Sequence, residues 1–128
     1  MNETTKAGAA AKRVLVVDED WVLGEALGLL IEDLGHVVVG PARDRRSGLR
    51  LVAEQVVDAA LLDIALRHET SFDLARELVR RGIPFAFYTG ATSVQLPAGL
   101  EACAVHAKPL PDQKLRRVIE QLLAPSSA

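Results

Sequence analysis

The side chains best suited to chemistry in this sequence stand directly after four short apolar runs. In chain order they are Asp18, Glu19 and Asp20 after the run at 14–17, Asp63 after 59–62, Thr89 after 84–88 and Lys108 after 102–107. Carboxylates that are brought together repel one another, and they are ionised together only where a cation joins them. Because oxygen ligands select a hard ion, Mg²⁺ with several retained waters is the expected occupant of such a cluster.

A hydroxyl and an ammonium beside such a cation would complete a receptor for a phosphoryl group. Mg²⁺ and Lys108 would neutralise the phosphoryl oxygens, and the Thr89 hydroxyl would donate a hydrogen bond. The carboxylate nearest the centre could itself be the nucleophile and form an acyl phosphate. These residue types therefore predict phosphoryl chemistry if the fold gathers them.

The apolar runs alternate with stretches of helical period, which indicates how the chain would gather these residues. Five short runs, at 14–17, 36–39, 59–62, 84–88 and 102–107, are typical of strands buried on both faces. Helical stripes lie at 22–34, 49–56, 72–81 and 115–123, and we expect a helix of one or two turns within 91–99. Right-handed crossovers between the strands predict a doubly wound α/β fold with a five-stranded parallel sheet, whose carboxyl edge gathers ligands.

The size and composition of the chain bound its class. With 128 residues, 49% hydrophobic and 25% charged, it is expected to form one domain over 13–124, with disordered tails at 1–12 and 125–128. A formal charge of −2 leaves no basic excess for nucleic acid. The single Cys103 allows no intrachain disulfide. Since no apolar stretch has the length of a signal peptide or a membrane helix, we expect a cytoplasmic protein without a membrane partner.

Taken together, the four motifs resemble the signatures of the receiver domain of two-component response regulators. The motifs are VLVVDED, the LLD that ends at Asp63, the YTG around Thr89 and the KP that begins at Lys108. The resemblance covers 13–124, nearly the whole chain. It implies a flavodoxin-like (βα)5 fold with strand order 2-1-3-4-5 and a cis peptide before Pro109.

The resemblance also implies a role for each matched residue. Asp63 would be the phosphoacceptor and a metal ligand, Asp18 and Glu19 the acidic pair for Mg²⁺, Thr89 the switch hydroxyl, Lys108 the phosphoryl contact, and Ala65 a metal ligand through its backbone carbonyl. Asp20, the third acid, is expected to cap the first helix instead of binding the metal.

Three departures from the family pattern bear on the mechanism. Glu19 stands where the second acid is usually Asp, and its extra methylene changes the metal geometry. Val105 stands where an aromatic switch residue is usual, so the rotation of an aromatic ring at this position cannot transmit the signal. The loop after Asp63 reads IALRHETSFD instead of a short Pro-Gly turn, and the fourth helix is truncated.

The favoured function is therefore signalling, with a histidine kinase or a phosphotransfer protein as the phosphoryl donor. The stretch GIPFAFYTG resembles a subgroup of bacterial receivers with a PFxFxTG fourth strand, which are often paired with kinases of the HWE type. Since the receiver motifs span 13–124, we expect no separate DNA-binding or enzymatic domain. We expect a stand-alone regulator that acts by contact with an unknown downstream protein, as a relay or as a phosphate sink, and leave open whether it forms a homodimer.

Two alternatives belong to other classes. The sequence from Asp18 to Val22 also fits the first motif of haloacid-dehalogenase-type phosphohydrolases, with Asp18 as nucleophile and Asp20 as general acid. That fit lacks the further acids required after the lysine and gives Asp63 no task. The second alternative is a phosphorylation-dead receiver that acts only as an interaction module. A receiver takes part in its own phosphorylation and dephosphorylation without being a conventional enzyme.

Overall fold

A computed structural model of the protein describes residues 11–91 and 93–125. The predicted tails lie outside these ranges, apart from residues 11, 12 and 125. The elements are β1 (Arg13–Val17), α1 (Trp21–Asp33), β2 (Val37–Ala42), α2 (Arg45–Glu54), β3 (Ala59–Asp63), β4 (Ala65–Leu66), β5 (Glu69–Thr70), α3 (Phe72–Arg81), β6 (Phe85–Thr89), β7 (Val105–Ala107) and α4 (Asp112–Leu123). Within the described part of the chain, no helix is both long enough and apolar enough to cross a bilayer.

Five of the strands form one parallel sheet in the order β2-β1-β3-β6-β7. Counted along the chain, this is the predicted order 2-1-3-4-5, so the doubly wound, flavodoxin-like α/β fold is confirmed. The strand order reverses beside β1, and the register brings the carboxyl ends level: Val17 lies opposite Leu62, and Asp63 lies opposite Tyr88. The acids that follow β1 and end β3 therefore share one edge of the sheet.

Helices cover both faces of the sheet because successive strand side chains point to opposite sides. Helices α1 and α4 pack on the face that includes Val14, Val16 and Leu61, and α2 and α3 pack on the face that includes Leu15 and Val17. These five side chains are at most 1% exposed. Full burial of such a side chain contributes roughly 1.5–3 kcal/mol relative to its exposure, so the strands that present the site are firmly anchored.

Helix α1 begins directly after the acidic cluster, and Asp20 is its N-cap as predicted. Its Oδ1 accepts hydrogen bonds from the backbone N–H groups of Val22 at 3.0 Å and Leu23 at 3.2 Å. The helix gives way to Gly35, whose φ of +90° is the left-handed conformation that favours glycine after a helix. The cap thus starts the first helix at Trp21, three residues after Asp18.

The segment after Asp63 forms a small antiparallel hairpin that sequence analysis predicted only as an unusual loop. Strands β4 and β5 pair with each other. Arg67 and His68 form the turn between them, and His68 has a φ of +61°. The hairpin is tied to the start of α2, where the backbone N–H of Arg45 donates to Glu69 Oε2 at 2.8 Å. It therefore lies next to the start of α2.

The predicted short helix within 91–99 is wrong. Among residues 91 and 93–104 the chain forms turns and irregular segments and no helix, and Thr92 lies outside the described residues. Leu100 is buried, and Val94 and Leu96 pack against the same core cluster. Gly99 adopts a φ of +89°, a left-handed conformation that does not continue a helix. The last strand is also shorter than predicted, since it begins at Val105.

Candidate functional site

The candidate site is built on two carboxylates at the ends of adjacent strands. Asp18 follows β1, and its backbone N–H donates to the carbonyl of Ala42 in β2 at 2.9 Å. Asp63 is the last residue of β3. Asp18 is 1% exposed and Asp63 is 5% exposed, so water screens neither charge well. Because β1 and β3 are neighbours in register, the fold forces two buried acids together.

Lys108 supplies the cation that these acids share. It follows β7, and its backbone N–H donates to the carbonyl of Thr89 at 2.8 Å, which extends the pairing of the last two strands. Its Nζ lies 3.1 Å from Asp18 Oδ2 and 2.9 Å from Asp63 Oδ2. With all three groups ionised, one positive charge faces two negative charges, and the buried cluster keeps a net charge of about −1. The lysine peptide bond to Pro109 is cis, as the resemblance implied.

The protonation equilibria follow from this imbalance. Burial raises the pKa of the Asp63 carboxyl above its ordinary value; Lys108 acts against this effect, and Asp18 adds to it. Burial alone would lower the pKa of Lys108, but the hydrogen bonds to Asp63 and Asp18 outweigh it and raise the pKa. The ammonium therefore stays charged, while Asp63 is a carboxylate held in unfavourable surroundings.

Tyr88 is the site residue that sequence analysis missed. Its side chain is buried, its hydroxyl donates to Asp18 Oδ2 at 3.0 Å, and its ring centroid lies 4.6 Å from the Nζ of Lys108. Burial, followed by the negative charge of Asp18, raises the pKa of the phenol well above its ordinary value, so it remains a donor. Strand alternation predicts only that Tyr88 shares a face with Ala86; its place opposite Asp63 comes from the register between β3 and β6.

Thr89 is the last residue of β6, and its carbonyl accepts the backbone hydrogen bond from Lys108. It is buried, and its Oγ1 accepts a hydrogen bond from the backbone N–H of Ala91 at 3.2 Å. Because the oxygen acts as an acceptor there, its own O–H remains a donor for another group. The carbonyl of Ala65 is also left out of the local hairpin pairing: Ser71 N–H donates to Ile64 at 3.0 Å, which makes the next pair, Ala65 and Thr70, the non-hydrogen-bonded one.

Glu19 is the predicted site residue that the structure sets apart. It is exposed, and its side chain lines an open cleft of about 550 Å³ between the hairpin and the start of α2. The same cleft is lined by Arg43, Arg67 and His68. In the described ranges, no three His, Cys, Asp or Glu side chains converge on one point. The acidic core of the site is therefore the pair formed by Asp18 and Asp63.

This pair suits a hard divalent cation by charge and by ligand type. Both groups offer oxygen ligands, and the two negative charges are balanced by only one ammonium. Mg²⁺ is commonly held by one or two carboxylates and keeps several waters, so two acids are sufficient protein ligands. Glu19 follows Asp18 directly and stands at the rim of the same edge.

Comparison with known proteins identifies the class. Residues 14–120 match the family model of the response regulator receiver domain, and the chain belongs to this family of two-component signalling domains. Members of the family are in general signalling domains and not enzymes.

Individual relatives support the same conclusion. The chain is 33% identical over 115 residues to the response regulator MprA of Mycolicibacterium vanbaalenii; the match covers 88% of this chain and 47% of MprA, so the chain spans about half the length of that relative. The solution structure of SdrG from Sphingomonas melonis Fr1 is 28% identical, with a TM-score of 0.77 and coverage of 91% and 99%. A CheY-like receiver domain from Methanospirillum hungatei JF-1 is 25% identical, with a TM-score of 0.79 and coverage of 89% and 94%.

Proposed function

We propose that Asp63 is the phosphoacceptor of this receiver domain, and that a histidine kinase or a histidine phosphotransfer protein is the donor. The observation that carries this proposal is the Lys108 ammonium shared by two buried carboxylates, 2.9 Å from Asp63 and 3.1 Å from Asp18. A pair of acids with surplus negative charge is poised to bind a cation and an incoming electrophile. Such a cluster is a poor stabilising device by itself, because burying charge is costly.

The two acids differ in a way that favours Asp63 as the nucleophile. Asp18 accepts hydrogen bonds at both oxygens, from the Asp20 N–H at 2.8 Å and from Tyr88 and Lys108. Asp63 is held by Lys108 through Oδ2, and it is the more exposed of the two. Asp18 is therefore fixed as an orienting group, while an oxygen of Asp63 can approach a phosphorus atom.

In the proposed transfer, an oxygen of Asp63 attacks the phosphorus of the donor phosphohistidine. A new O–P bond forms, the P–N bond breaks, and the imidazole nitrogen keeps the electron pair. Lys108 neutralises a phosphoryl oxygen, and the Thr89 hydroxyl donates a hydrogen bond to another. Loss of the phosphoryl group to water returns the carboxylate.

We also propose Mg²⁺ as the cofactor, held by Asp18 and Asp63 with Glu19 and the backbone carbonyl of Ala65 as the remaining protein ligands. When bound, the ion supplies charge neutralisation for the phosphoryl oxygens. The unbalanced charge of the acid pair supports this assignment. Glu19 has the longer side chain, which suits a ligand that must reach the pair from the rim of the cleft.

The partners follow from the same proposal. The stretch from Gly82 to Gly90 resembles receivers that are paired with HWE-type kinases. We propose that the reaction takes place in the cytoplasm, where a histidine kinase obtains its phosphoryl group from ATP. Output by protein contact, relay or phosphate sink suits a formal charge of −2 better than nucleic-acid binding does. The surface that responds includes β7 and α4, and a second copy of the chain is one candidate to bind it. Since Val105 has no ring, we propose that the change passes through Thr89.

The test is Mg²⁺-dependent phosphorylation by acetyl phosphate, followed by mass spectrometry of the intact protein. We expect one phosphoryl group on the wild type, none on Asp63→Asn, and an unchanged adduct on Asp73→Asn, whose carboxylate lies exposed on α3. An adduct that survives Asp63→Asn but is lost in Asp18→Asn, together with turnover of a phosphate ester, would establish the phosphohydrolase instead. A wild type without any adduct would establish the phosphorylation-dead receiver.

A further inference from the structure

We propose that Tyr88 is a positioning residue that holds Asp18 to Lys108 in the metal-free protein and thereby weakens the binding of a divalent cation at the pair of Asp18 and Asp63. The inference rests on the proposed function, because it concerns the cation of that same site. It assigns Tyr88 the task of setting the concentration at which the metal enters.

The hydrogen-bond inventory of Asp18 is the first observation. A carboxylate offers about four lone-pair directions. Asp18 Oδ1 accepts from the Asp20 N–H at 2.8 Å, and Oδ2 accepts from Tyr88 at 3.0 Å and from Lys108 at 3.1 Å. Oδ2, the oxygen that Lys108 links to Asp63, thus already accepts two hydrogen bonds.

A cation that joins the two acids meets this arrangement directly. To reach the oxygens that Lys108 now bridges, it must displace Lys108, Tyr88 or both from Oδ2 of Asp18. If it binds another lone pair instead, the phenol still draws electron density from the carboxylate and weakens it as a ligand. Both routes lower the affinity for the cation, because a hydrogen bond to the charged form of an acid competes with any other partner of that charge.

The ring of Tyr88 adds to the effect of its hydroxyl. Its centroid lies 4.6 Å from Lys108 Nζ, a favourable cation–π distance at a site shielded from water. The tyrosine therefore contacts both the acid, through the hydroxyl, and the ammonium, through the ring. Removing the hydroxyl alone separates these two contributions, because phenylalanine keeps the ring and the packing.

The experiment compares Mg²⁺ affinities of the wild type and Tyr88→Phe by calorimetric titration. Trp21, the only tryptophan, lies three residues after Asp18 and gives an independent fluorescence signal. We expect the dissociation constant to fall about tenfold in Tyr88→Phe, the effect of losing one hydrogen bond to a charged group. Val118→Ala removes packing from the same core cluster without touching the acids and should leave the constant unchanged.

A second readout follows the hydroxyl itself. Because Tyr88 is the only tyrosine, a ¹³Cζ label gives one resonance, which we expect to shift as Mg²⁺ is added to the wild type. An unchanged or higher dissociation constant in Tyr88→Phe overturns the inference, even where the wild type is phosphorylated at Asp63 in a Mg²⁺-dependent reaction. The wild type could also bind no Mg²⁺ at all. In that case, Mg²⁺ binding by Tyr88→Phe supports the inference, and binding by neither protein overturns it. Phosphorylation of Asp63 tests the proposed function separately.

Discussion

The buried site and the exposed face of α3 contain mirror-image charge clusters. In the site, one lysine ammonium serves two carboxylates, Asp18 and Asp63. On α3, one carboxylate, Glu77, serves two guanidinium groups, those of Arg80 and Arg81. The contact from Glu77 Oε2 to Arg81 Nε is 2.6 Å, shorter than either contact in the site. Distance alone would rank the α3 cluster as the stronger one.

Burial reverses that ranking. The hydrogen bonds from Arg80 and Arg81 hold the pKa of Glu77 at about 2, and water screens the group. Burial moves the pKa of Asp63 in the opposite direction. Exposed pairs contribute little to stability, whereas removing one partner of a buried pair leaves a charge without compensation. We therefore expect large effects at the site and small ones on α3.

The largest effect is expected for Lys108→Met. It removes the ammonium that the two buried carboxylates share and should lower the free energy of unfolding by about 3 kcal/mol. Urea denaturation in metal-free buffer at neutral pH measures the loss, and Lys114→Met, an exposed lysine of α4, is the matched control. Equal unfolding curves for the two variants would show that Lys108 contributes no more to stability than a surface lysine does.

Asp63→Asn should have a smaller effect of opposite sign, and one that depends on pH. The folded protein holds the Asp63 proton more tightly than the unfolded chain does, so wild-type stability is lost as the pH rises from the ordinary value of 3.8 through the raised folded pKa. Asparagine removes that loss. Above the folded pKa we expect the variant to be more stable than the wild type in metal-free buffer, by less than the loss in Lys108→Met. A difference that does not vary between pH 3 and pH 8 contradicts the assigned pKa direction.

Asp20 gives an intermediate case, because the residue type is that of Asp18 but the carboxylate caps a helix. Asp20→Ala should cost about 1 kcal/mol in thermal or urea unfolding, and Asp20→Ser should restore most of it. Neither variant should abolish the acetyl phosphate adduct. A complete loss of phosphorylation in Asp20→Ser would mean that this acid belongs to the reactive cluster.

The smallest effect is expected for Glu77→Gln on α3. Since both guanidinium groups lie at the surface and Glu77 is itself partly exposed, the urea midpoint should stay within experimental error of the wild type. Raising the salt concentration should also leave the difference between the two proteins near zero. A destabilisation equal to that of Asp20→Ala would overturn the distinction between the two clusters.

Strand-end placement is the part of the site that the sequence predicts well. Short apolar runs and helical stripes predict the parallel sheet and its order, and the sheet in turn brings Asp18, Asp63 and Lys108 together. Each of these residues lies at most one position beyond the end of a strand, where backbone pairing determines its place.

Three features could not be predicted in the same way, for different physical reasons. The bond from Tyr88 to Asp18 depends on the register of β1, β3 and β6, and the pattern of one strand does not contain it. The hairpin turn has a left-handed His68 instead of the glycine that usually signals such a turn. A loop stands before β7 where a helix was predicted. Its apolar residues pack against the core without forming helical hydrogen bonds, and the sequence pattern does not distinguish the two cases.

Borohydride reduction of the acetyl phosphate-treated protein tests the central claim most directly. Hydride attacks the carbonyl carbon of an aspartyl phosphate, phosphate leaves, and further reduction gives homoserine, a stable mark of the acceptor in a peptide map. We predict homoserine at position 63, dependent on Mg²⁺ and absent from Lys108→Met. Homoserine at position 18, or at neither position while Mg²⁺ is present, would contradict the account.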